Sequence, residues 1–153
     1  LPRSPLAPVL PKIGSTEPLA TFESGVLPDS ELAFEQKYAP YPPFNSSYEV
    51  YIWQWLNEQG VQKIHQWRVQ QTFGVRGARG STRVDFISDL LLIAWFPDGV
   101  YWHEGSTKEA ADEMRRGQVT AQGYRVVQWL LESSEQLVRE LPDFYFRMVN
   151  GYE

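Results

Sequence analysis

The sequence lacks cysteine altogether and has no long apolar run. In 153 residues the absence of cysteine excludes disulfides and thiolate zinc sites, so any metal must be held by oxygen ligands, His65 or His103. The most apolar segment, residues 90–96, is too short to cross a bilayer, and no signal peptide is visible. We therefore expect no membrane contact, and an intracellular (cytoplasmic) protein or one enclosed in a virus particle.

Positive charge is also scarce, with 14 basic against 19 acidic residues and a formal net charge of −5. This balance argues against a protein that binds nucleic acid through its overall charge, because proteins that bind phosphates normally have a basic surface. Between Glu58 and Asp85, however, no acidic residue occurs. That stretch contains five basic residues: Lys63, Arg68, Arg76, Arg79 and Arg83. They predict either contacts with a DNA backbone or an ordinary solvated surface.

Proline is concentrated at one end of the chain, with nine of the eleven prolines in residues 1–45. Several are spaced by three, which predicts an extended arm of polyproline character and not a core element. A short helical turn is expected over residues 31–38 before further prolines interrupt the chain. If ordered, such an arm must lie against this domain, another copy or a neighbouring protein, and we expect a protein partner for it.

The remaining sequence alternates helical and strand patterns. Ser46 and Glu49 form a capping box that opens a helix to about Gln59. Alternating residues predict a strand over 61–73, in which His65 is structural, and residues 74–80 form a loop. Two further strands are expected at 83–87 and 90–96, the second apolar throughout, as in a central strand covered on both faces.

The C-terminal part continues this alternation. A second capping box at Ser106 opens a helix to about residue 122, followed by a strand at 124–130 that should run parallel beside the apolar strand. Ser133 caps a final helix, bent or broken near Pro142. The fold class is α/β, bordering on α+β: a mixed central sheet flanked by helices. The arm at 1–45 precedes a domain at 46–132 and a C-terminal helical extension at 133–153.

Acidic residues in two segments indicate a metal-binding or catalytic site. Asp85 on one strand and Asp98 just after the next can lie at neighbouring places and supply oxygen ligands that suit Mg²⁺, and His103 would lie nearby as a general acid or base. Each has an alternative interpretation. Pro97-Asp98-Gly99 is a strong turn signal, and His103 is equally suited to bonding a backbone carbonyl.

These segments occur in a characteristic order. Val84-Asp-Phe-Ile is followed by an apolar strand, then Phe96-Pro-Asp-Gly-Val-Tyr-Trp-His, then a helix carrying Asp112, then Gln122-Gly-Tyr-Arg-Val-Val. With the preceding helix of Glu49, this set resembles the very-short-patch-repair endonucleases and their relatives in the PD-(D/E)xK, or restriction-endonuclease-like, superfamily. The resemblance covers residues 46–132 and implies the restriction-endonuclease-like fold for them.

The resemblance also implies a metal site. Asp85 matches the metal-binding aspartate of the family, and Pro97 falls where the family offers a main-chain carbonyl to the metal. Asp98 falls where the repair enzymes carry a catalytic histidine and other relatives an aspartate. The implied cofactor is Mg²⁺, and the implied substrate is DNA.

Further roles follow from the same resemblance. His103 matches a second catalytic histidine, Asp112 a helix aspartate that supports it, and Glu49 an acidic residue of the first helix. Tyr101 and Trp102 match aromatics that wedge between base pairs. Each has a simpler alternative: Glu49 completes a capping box, Asp112 is spaced for a helical ion pair, and Trp102 suits a core.

Three departures from the family pattern leave the activity open. Phe96 stands where many relatives carry an acidic residue, no lysine follows at the (D/E)xK position, and a zinc-binding cluster is absent. The first functional hypothesis is a metal-dependent DNA endonuclease that hydrolyses phosphodiester bonds. The alternative is a catalytically degenerate subunit of a large assembly such as a phage particle, and a third is a nucleic-acid-binding module without catalysis.

Overall fold

The computed structural model describes residues 22–74, 81–99 and 117–151. Serine side chains cap three of the helices, as their positions before helical patterns predict. No helix within these ranges is long and apolar enough to span a membrane. The elements in chain order are α1 (Glu31–Lys37), α2 (Ser47–Glu58), α3 (Val61–Ile64), β1 (Trp67–Gly74), β2 (Ser81–Ser88), β3 (Ile93–Gly99), a helical segment at 117–121 (α4), β4 (Arg125–Leu131) and α5 (Ser134–Val149).

The four strands form one mixed sheet in the order β1-β2-β3-β4. β1, β2 and β3 are antiparallel neighbours, and β4 runs parallel to β3 from the pair Ile93 with Arg125 to the pair Gly99 with Leu131. The predicted parallel placement of the last strand is therefore confirmed. It follows from the right-handed crossover that a helical connection between two strands of one sheet favours.

Apolar side chains cover both faces of the sheet. On the first face, helices α1, α2 and α5 bury residues against strand residues such as Trp67 and Trp95. On the second face, Val119 of α4 packs with Ile87, Ala94 and other residues of the central strands. The molecule is thus α+β, with a four-stranded mixed sheet flanked by helices, which confirms the mixed, helix-flanked sheet of the α/β to α+β prediction.

The Pro-rich region does contribute to the core, contrary to our expectation. Phe34, Tyr38 and Phe44 are each at most 5% exposed. The Tyr38 ring lies edge-on to Tyr51 of α2, with 5.2 Å between centroids. Burying these aromatic rings stabilises more than an extended solvated chain would, so the prediction of a non-core arm is wrong for residues 22–45. The predicted helical turn is confirmed as α1, and residues 1–21 lie outside the described ranges.

Two predicted strands begin later than expected. The strand predicted over 61–73 starts only at Trp67, because Gly60, at φ 76°, turns the chain into the short helix α3. The strand predicted over 90–96 starts at Ile93, because Leu92 has φ 54° and, like Leu90, is at least half exposed. From Ile93 to Phe96 every residue is buried, as predicted for a central strand.

The final helix is one continuous element despite its internal proline. α5 includes Pro142, so of the two outcomes predicted for that residue, a bend or a break, the break is wrong. Leu141 before the proline and Tyr145 after it are both buried on the first face of the sheet, and this burial holds the two halves in one helix. Pro142 itself is exposed. The helix predicted to open at Ser106 is described only over residues 117–121, and the loop prediction for 75–80 lies outside the described ranges.

Candidate functional site

The central strands β2 and β3 separate at one end of the sheet. Their last paired residues within the described ranges are Phe86 and Trp95. Beyond that pair, β2 stays with β1 as far as Ser81, and β3 stays with β4 as far as Gly99. The sheet therefore opens into a fork, with residues 81–85 on one branch and 96–99 on the other.

Asp85 lies at the root of this fork. It is the first residue of β2 beyond the last β2–β3 pair, and it is half-buried. Its neighbours belong to different cores: Phe86 to the first-face cluster, and Val84 to the second-face cluster together with Ile87. Strict alternation would put Val84 and Phe86 on the same face. Val84 therefore packs with the second-face cluster although the register of β2 with β1 is the same on both sides of Asp85.

Pro97 lies on the opposite branch, buried within β3 and paired with Trp129. The direction of its carbonyl follows from the hydrogen-bond phase of the strand. The Arg125 N–H donates to the Leu92 carbonyl at 2.7 Å, so that carbonyl points towards β4. Carbonyls of successive strand residues point to alternate sides, so those of Ile93, Trp95 and Pro97 point towards β2. The Pro97 carbonyl is therefore directed into the fork.

Asp98 is part of β3, and its backbone pairs with Leu130 of β4. The alternative interpretation, in which Pro97-Asp98-Gly99 forms a tight turn, is wrong because the strand continues to Gly99. The parallel partner strand holds these residues extended, and this overrides their local preference for a turn. Asp98 thus follows Pro97 directly on the β3 branch of the fork.

Glu49 lies near the start of α2 and is 4% exposed. Its N–H donates to the Ser46 hydroxyl oxygen at 3.2 Å, and that hydroxyl donates to the Glu49 carboxylate at 3.0 Å, so Ser46 caps the helix as predicted and Glu49 bonds back to the cap residue. One turn further along the helix, the Trp53 ring stacks on Phe86, with 6.4 Å between centroids. The helix of Glu49 therefore packs against the residue that follows Asp85.

The two described arginines of the predicted DNA surface bond to groups of the chain itself. Arg68 forms a 2.5 Å ion pair with Asp89, and both side chains are about half exposed. The Tyr124 hydroxyl donates to the same carboxylate at 2.6 Å, which lowers the pKa of Asp89, with Arg68 contributing further. Arg83 donates to the Pro43 carbonyl at 2.9 Å. Both arginines thus anchor neighbouring segments in this structure.

The other predicted site residues lie outside the described ranges, and their predicted roles remain predictions: Arg76, Arg79, Tyr101, Trp102, His103 and Asp112. Within residues 22–74, 81–99 and 117–151, no three His, Asp or Glu side chains are grouped so that they could hold a metal ion.

A polar network that the sequence did not predict lies away from the fork. The Trp67 indole N–H donates to the Tyr145 hydroxyl at 2.8 Å, and that hydroxyl is also hydrogen-bonded to His65 Nδ1. Burial raises the pKa of Tyr145 to about 12 and lowers the pKa of His65. The network ties the start of β1 to α5, which agrees with a structural role for His65. Local sequence patterns could not predict this network, because its partners lie about eighty residues apart in the sequence.

A surface depression of about 530 Å³ lies beside the same segment, away from the fork. Its lining includes both signs of charge, and Arg68 and Asp89 within it form an ion pair with each other. It is lined by Gln62, Lys63, Gln66, Trp67, Arg68 and Asp89.

No family model, curated protein or solved structure matches the chain. The resemblance to the repair endonucleases therefore rests on the ordered residues quoted above and remains an expectation.

Proposed function

We propose that the chain is a metal-dependent DNA endonuclease of the very-short-patch-repair-like type, with its site at the root of the fork between β2 and β3. The observation that carries the proposal is the juxtaposition of Asp85 on one branch with the Pro97 carbonyl directed from the other. A helix-flanked mixed sheet, which the resemblance implies for a restriction-endonuclease-like fold, supports it.

The groups at the fork fit a hard divalent cation. Asp85 and Asp98 would contribute carboxylates and Pro97 a main-chain oxygen, the ligand type that Mg²⁺ prefers. Mg²⁺ usually keeps several waters and uses only one or two carboxylates, so two carboxylates and a carbonyl are a sufficient set. When bound, the ion would polarise a phosphate oxygen and lower the pKa of a bound water.

The chain's own residues would supply the rest of the chemistry. His103 would exchange a proton with the attacking or leaving oxygen, with Asp112 supporting it, and Glu49 would add negative charge from the first helix. Four arginines would contact DNA phosphates: Arg68, Arg76, Arg79 and Arg83. Tyr101 and Trp102 would wedge between base pairs. Since these arginines would neutralise phosphates and release their counterions, DNA binding should weaken with increasing salt.

The proposal is tested by plasmid cleavage in Mg²⁺ or Mn²⁺ with wild type and the isosteric variant Asp85→Asn. We expect wild type to nick or cut the plasmid and Asp85→Asn to lower the rate on the order of a hundredfold, because one charged group at the reacting centre is lost. Asp29→Asn, an exposed residue before α1, is the control and should cleave as wild type does.

Binding and folding are measured on the same samples. Calorimetric titration with Mn²⁺ should show binding that Asp85→Asn loses, while circular dichroism shows an unchanged fold. An intact plasmid under every metal condition, or full activity in Asp85→Asn, contradicts the proposal.

A second candidate is the catalytically degenerate subunit of a larger assembly. It is favoured by the use of Arg68 and Arg83 in internal bonds. Folding of residues 22–45 onto their own domain weakens its other argument, a tethering arm. A folded chain that neither binds Mn²⁺ nor cleaves DNA would favour this candidate. DNA binding without cleavage would favour the non-catalytic binding module.

A further inference from the structure

Five of the six tryptophans pack in the core on the first face of the sheet: Trp53, Trp55, Trp67, Trp95 and Trp129. Trp95 connects several of them, because its ring centroid lies 5.8 Å from that of Trp67 and 6.3 Å from that of Trp129. The ring centroid of Tyr145 lies within 6.2 Å of those of Trp55, Trp67 and Trp95. Tyr145 is therefore adjacent to the centre of a continuous group of oxidisable aromatic rings.

The hydrogen bonds of Tyr145 determine where its hydroxyl proton points. The indole N–H of Trp67 can only donate, so the Tyr145 oxygen accepts that bond at 2.8 Å. The other partner of the hydroxyl is His65 Nδ1, which accepts a proton when the imidazole is neutral and carries its own on Nε2. Burial lowers the pKa of His65 below its ordinary 6.5, so the ring is neutral at pH 7. Tyr145 thus donates its proton to a base.

An electron is removed more easily from a tyrosine whose proton can leave at the same time. The oxidised phenol is a strong acid, and it becomes a neutral tyrosyl radical only when a base takes the proton. Histidine is the side chain best suited to moving protons near neutral pH. Tyr38 offers a contrast, because its hydroxyl is buried and has no hydrogen-bond partner within the described ranges. Of these two buried tyrosines, only Tyr145 is arranged for oxidation coupled to proton transfer.

We propose that Tyr145 and His65 form a proton-coupled redox site that returns electrons to oxidised tryptophans of the core. The reaction begins when a one-electron oxidant, such as a peroxyl radical, takes one electron from an indole ring. One electron then moves from Tyr145 to that indole, and the Tyr145 proton moves to His65 Nδ1. The products are the restored tryptophan, a tyrosyl radical and an imidazolium ion. A one-electron reductant of the thiol or ascorbate class afterwards supplies an electron to the radical, and the imidazolium returns its proton to the tyrosine oxygen.

His65 connects this site to the surface of the molecule. Its side chain is half-buried, whereas Tyr145 is only 4% exposed, and the two rings stack with an angle of 18° between their planes. A soluble reductant can thus approach His65 although the tryptophans beneath it are buried. The fork at Asp85 takes no part in these steps, and they do not depend on nuclease activity.

Pulse radiolysis of the full chain with the azide radical, which oxidises tryptophan selectively, tests this site. In wild type the absorption of the tryptophan radical should decay while that of a tyrosyl radical grows at the same rate. That rate should not change when the protein is diluted, because both rings belong to one molecule. Tyr145→Phe keeps the aromatic ring and removes the hydroxyl, so the tryptophan radical should persist and most of the tyrosyl absorption should be lost.

His65→Gln separates proton transfer from a structural role. Glutamine keeps a hydrogen-bond acceptor for the Tyr145 hydroxyl but is not a base. We expect the tyrosyl radical to form more slowly in this variant, on the order of a hundredfold, because proton transfer to a positioned base is lost. Tyr38→Phe is the matched control, since it removes the hydroxyl of another buried tyrosine, and it should react as wild type does.

Three results would overturn the inference: a tyrosyl radical that forms in Tyr145→Phe as it does in wild type, an unchanged rate in His65→Gln, or a wild-type rate that falls in proportion on dilution. Circular dichroism of each variant establishes that it is folded. Should Tyr145→Phe fail to fold, His65→Gln decides the question by itself, since it leaves the tyrosine and the tryptophans in place.

Discussion

Glu31 of α1 joins two distant helices through its carboxylate. One carboxylate oxygen accepts from both the N–H and the hydroxyl of Ser134, each at 2.7 Å, and the other accepts from the Tyr48 hydroxyl at 3.2 Å. Ser134 is fully buried in the first turn of α5. A carboxylate at this position satisfies an N–H that the helix cannot pair internally and opposes the positive end of the helix dipole.

Replacing Glu31 with alanine removes these bonds. A hydrogen bond to a charged group contributes about 1.5–3 kcal/mol, and an unsatisfied buried donor costs about 1–3 kcal/mol. Because Glu31 is itself exposed, water partly replaces the lost acceptor, and the bond to Tyr48 adds little. We expect the free energy of unfolding to fall by about 2 kcal/mol in total, where each 1 kcal/mol lowers Tm by about 2–4 °C for a chain of this size. Glu31→Gln keeps a neutral acceptor and should lose about half as much.

The measurement is urea and thermal unfolding of wild type, Glu31→Ala, Glu31→Gln, Ser134→Ala and the double variant Glu31→Ala with Ser134→Ala. The losses in Glu31→Ala and Ser134→Ala should not add, because both variants remove the hydrogen bond from the Ser134 hydroxyl to the Glu31 carboxylate. Glu35→Ala is the matched control, since Glu35 is an exposed glutamate one turn further along α1 and should change stability by less than about 0.5 kcal/mol.

This reasoning is refuted if Glu31→Ala unfolds at the same temperature as Glu35→Ala. Full additivity of Glu31→Ala and Ser134→Ala would refute it equally, since the hydrogen bonds between them would then contribute nothing. Ionic strength provides a third check. The difference in unfolding free energy between Glu31→Ala and Glu31→Gln should change less with ionic strength than the contribution of an exposed ion pair does, because Ser134, the partner of Glu31, is buried.

Two other parts of the structure give predictions. Pro142→Ala should raise the free energy of unfolding by about 1–3 kcal/mol, because the proline is exposed inside a continuous helix, where alanine is far more favourable. Urea unfolding measures this change, and a loss of stability would contradict the prediction. Burial lowers the pKa of His65 in the folded chain below its ordinary 6.5. As the pH falls, the unfolded chain therefore takes up the proton first. The free energy of unfolding should decrease as the pH drops below 6.5, until the folded-state pKa is passed. His65→Gln should remove this part of the pH dependence, and an unchanged pH profile in the variant would exclude the assignment.

Helix starts were predictable because their signals are local. Ser46 and Ser133 each stand before a helical apolar pattern and accept from an N–H three residues on, as the sequence indicates. Strand boundaries were less predictable. Leu92 is as apolar as Ile93, but its positive φ and exposure follow from how the β2–β3 connection meets the rest of the sheet.

In the candidate site, too, the features that depend on local sequence were predictable and those that depend on tertiary contacts were not. Sequence analysis placed Asp85 on a strand and Asp98 near the end of its neighbour, since strand period and chain order are local properties. It left open whether Asp98 lies in a turn, because Pro97-Asp98-Gly99 favours a turn when considered alone. Only pairing with β4, some thirty residues later in the chain, holds that segment extended.

The sequence by itself determined the capped helices and the apolar central strand, since each depends on residues that are close together along the chain. It also predicted the parallel crossover, because the order strand, helix, strand favours that connection. Tertiary structure alone decided that β2 and β3 separate at Asp85, that the Pro97 carbonyl points into the gap, and that aromatic rings of the Pro-rich region enter the core. Those features depend on which strand each residue pairs with and which face it buries. Such choices are made by contacts between distant segments, and no local pattern encodes them.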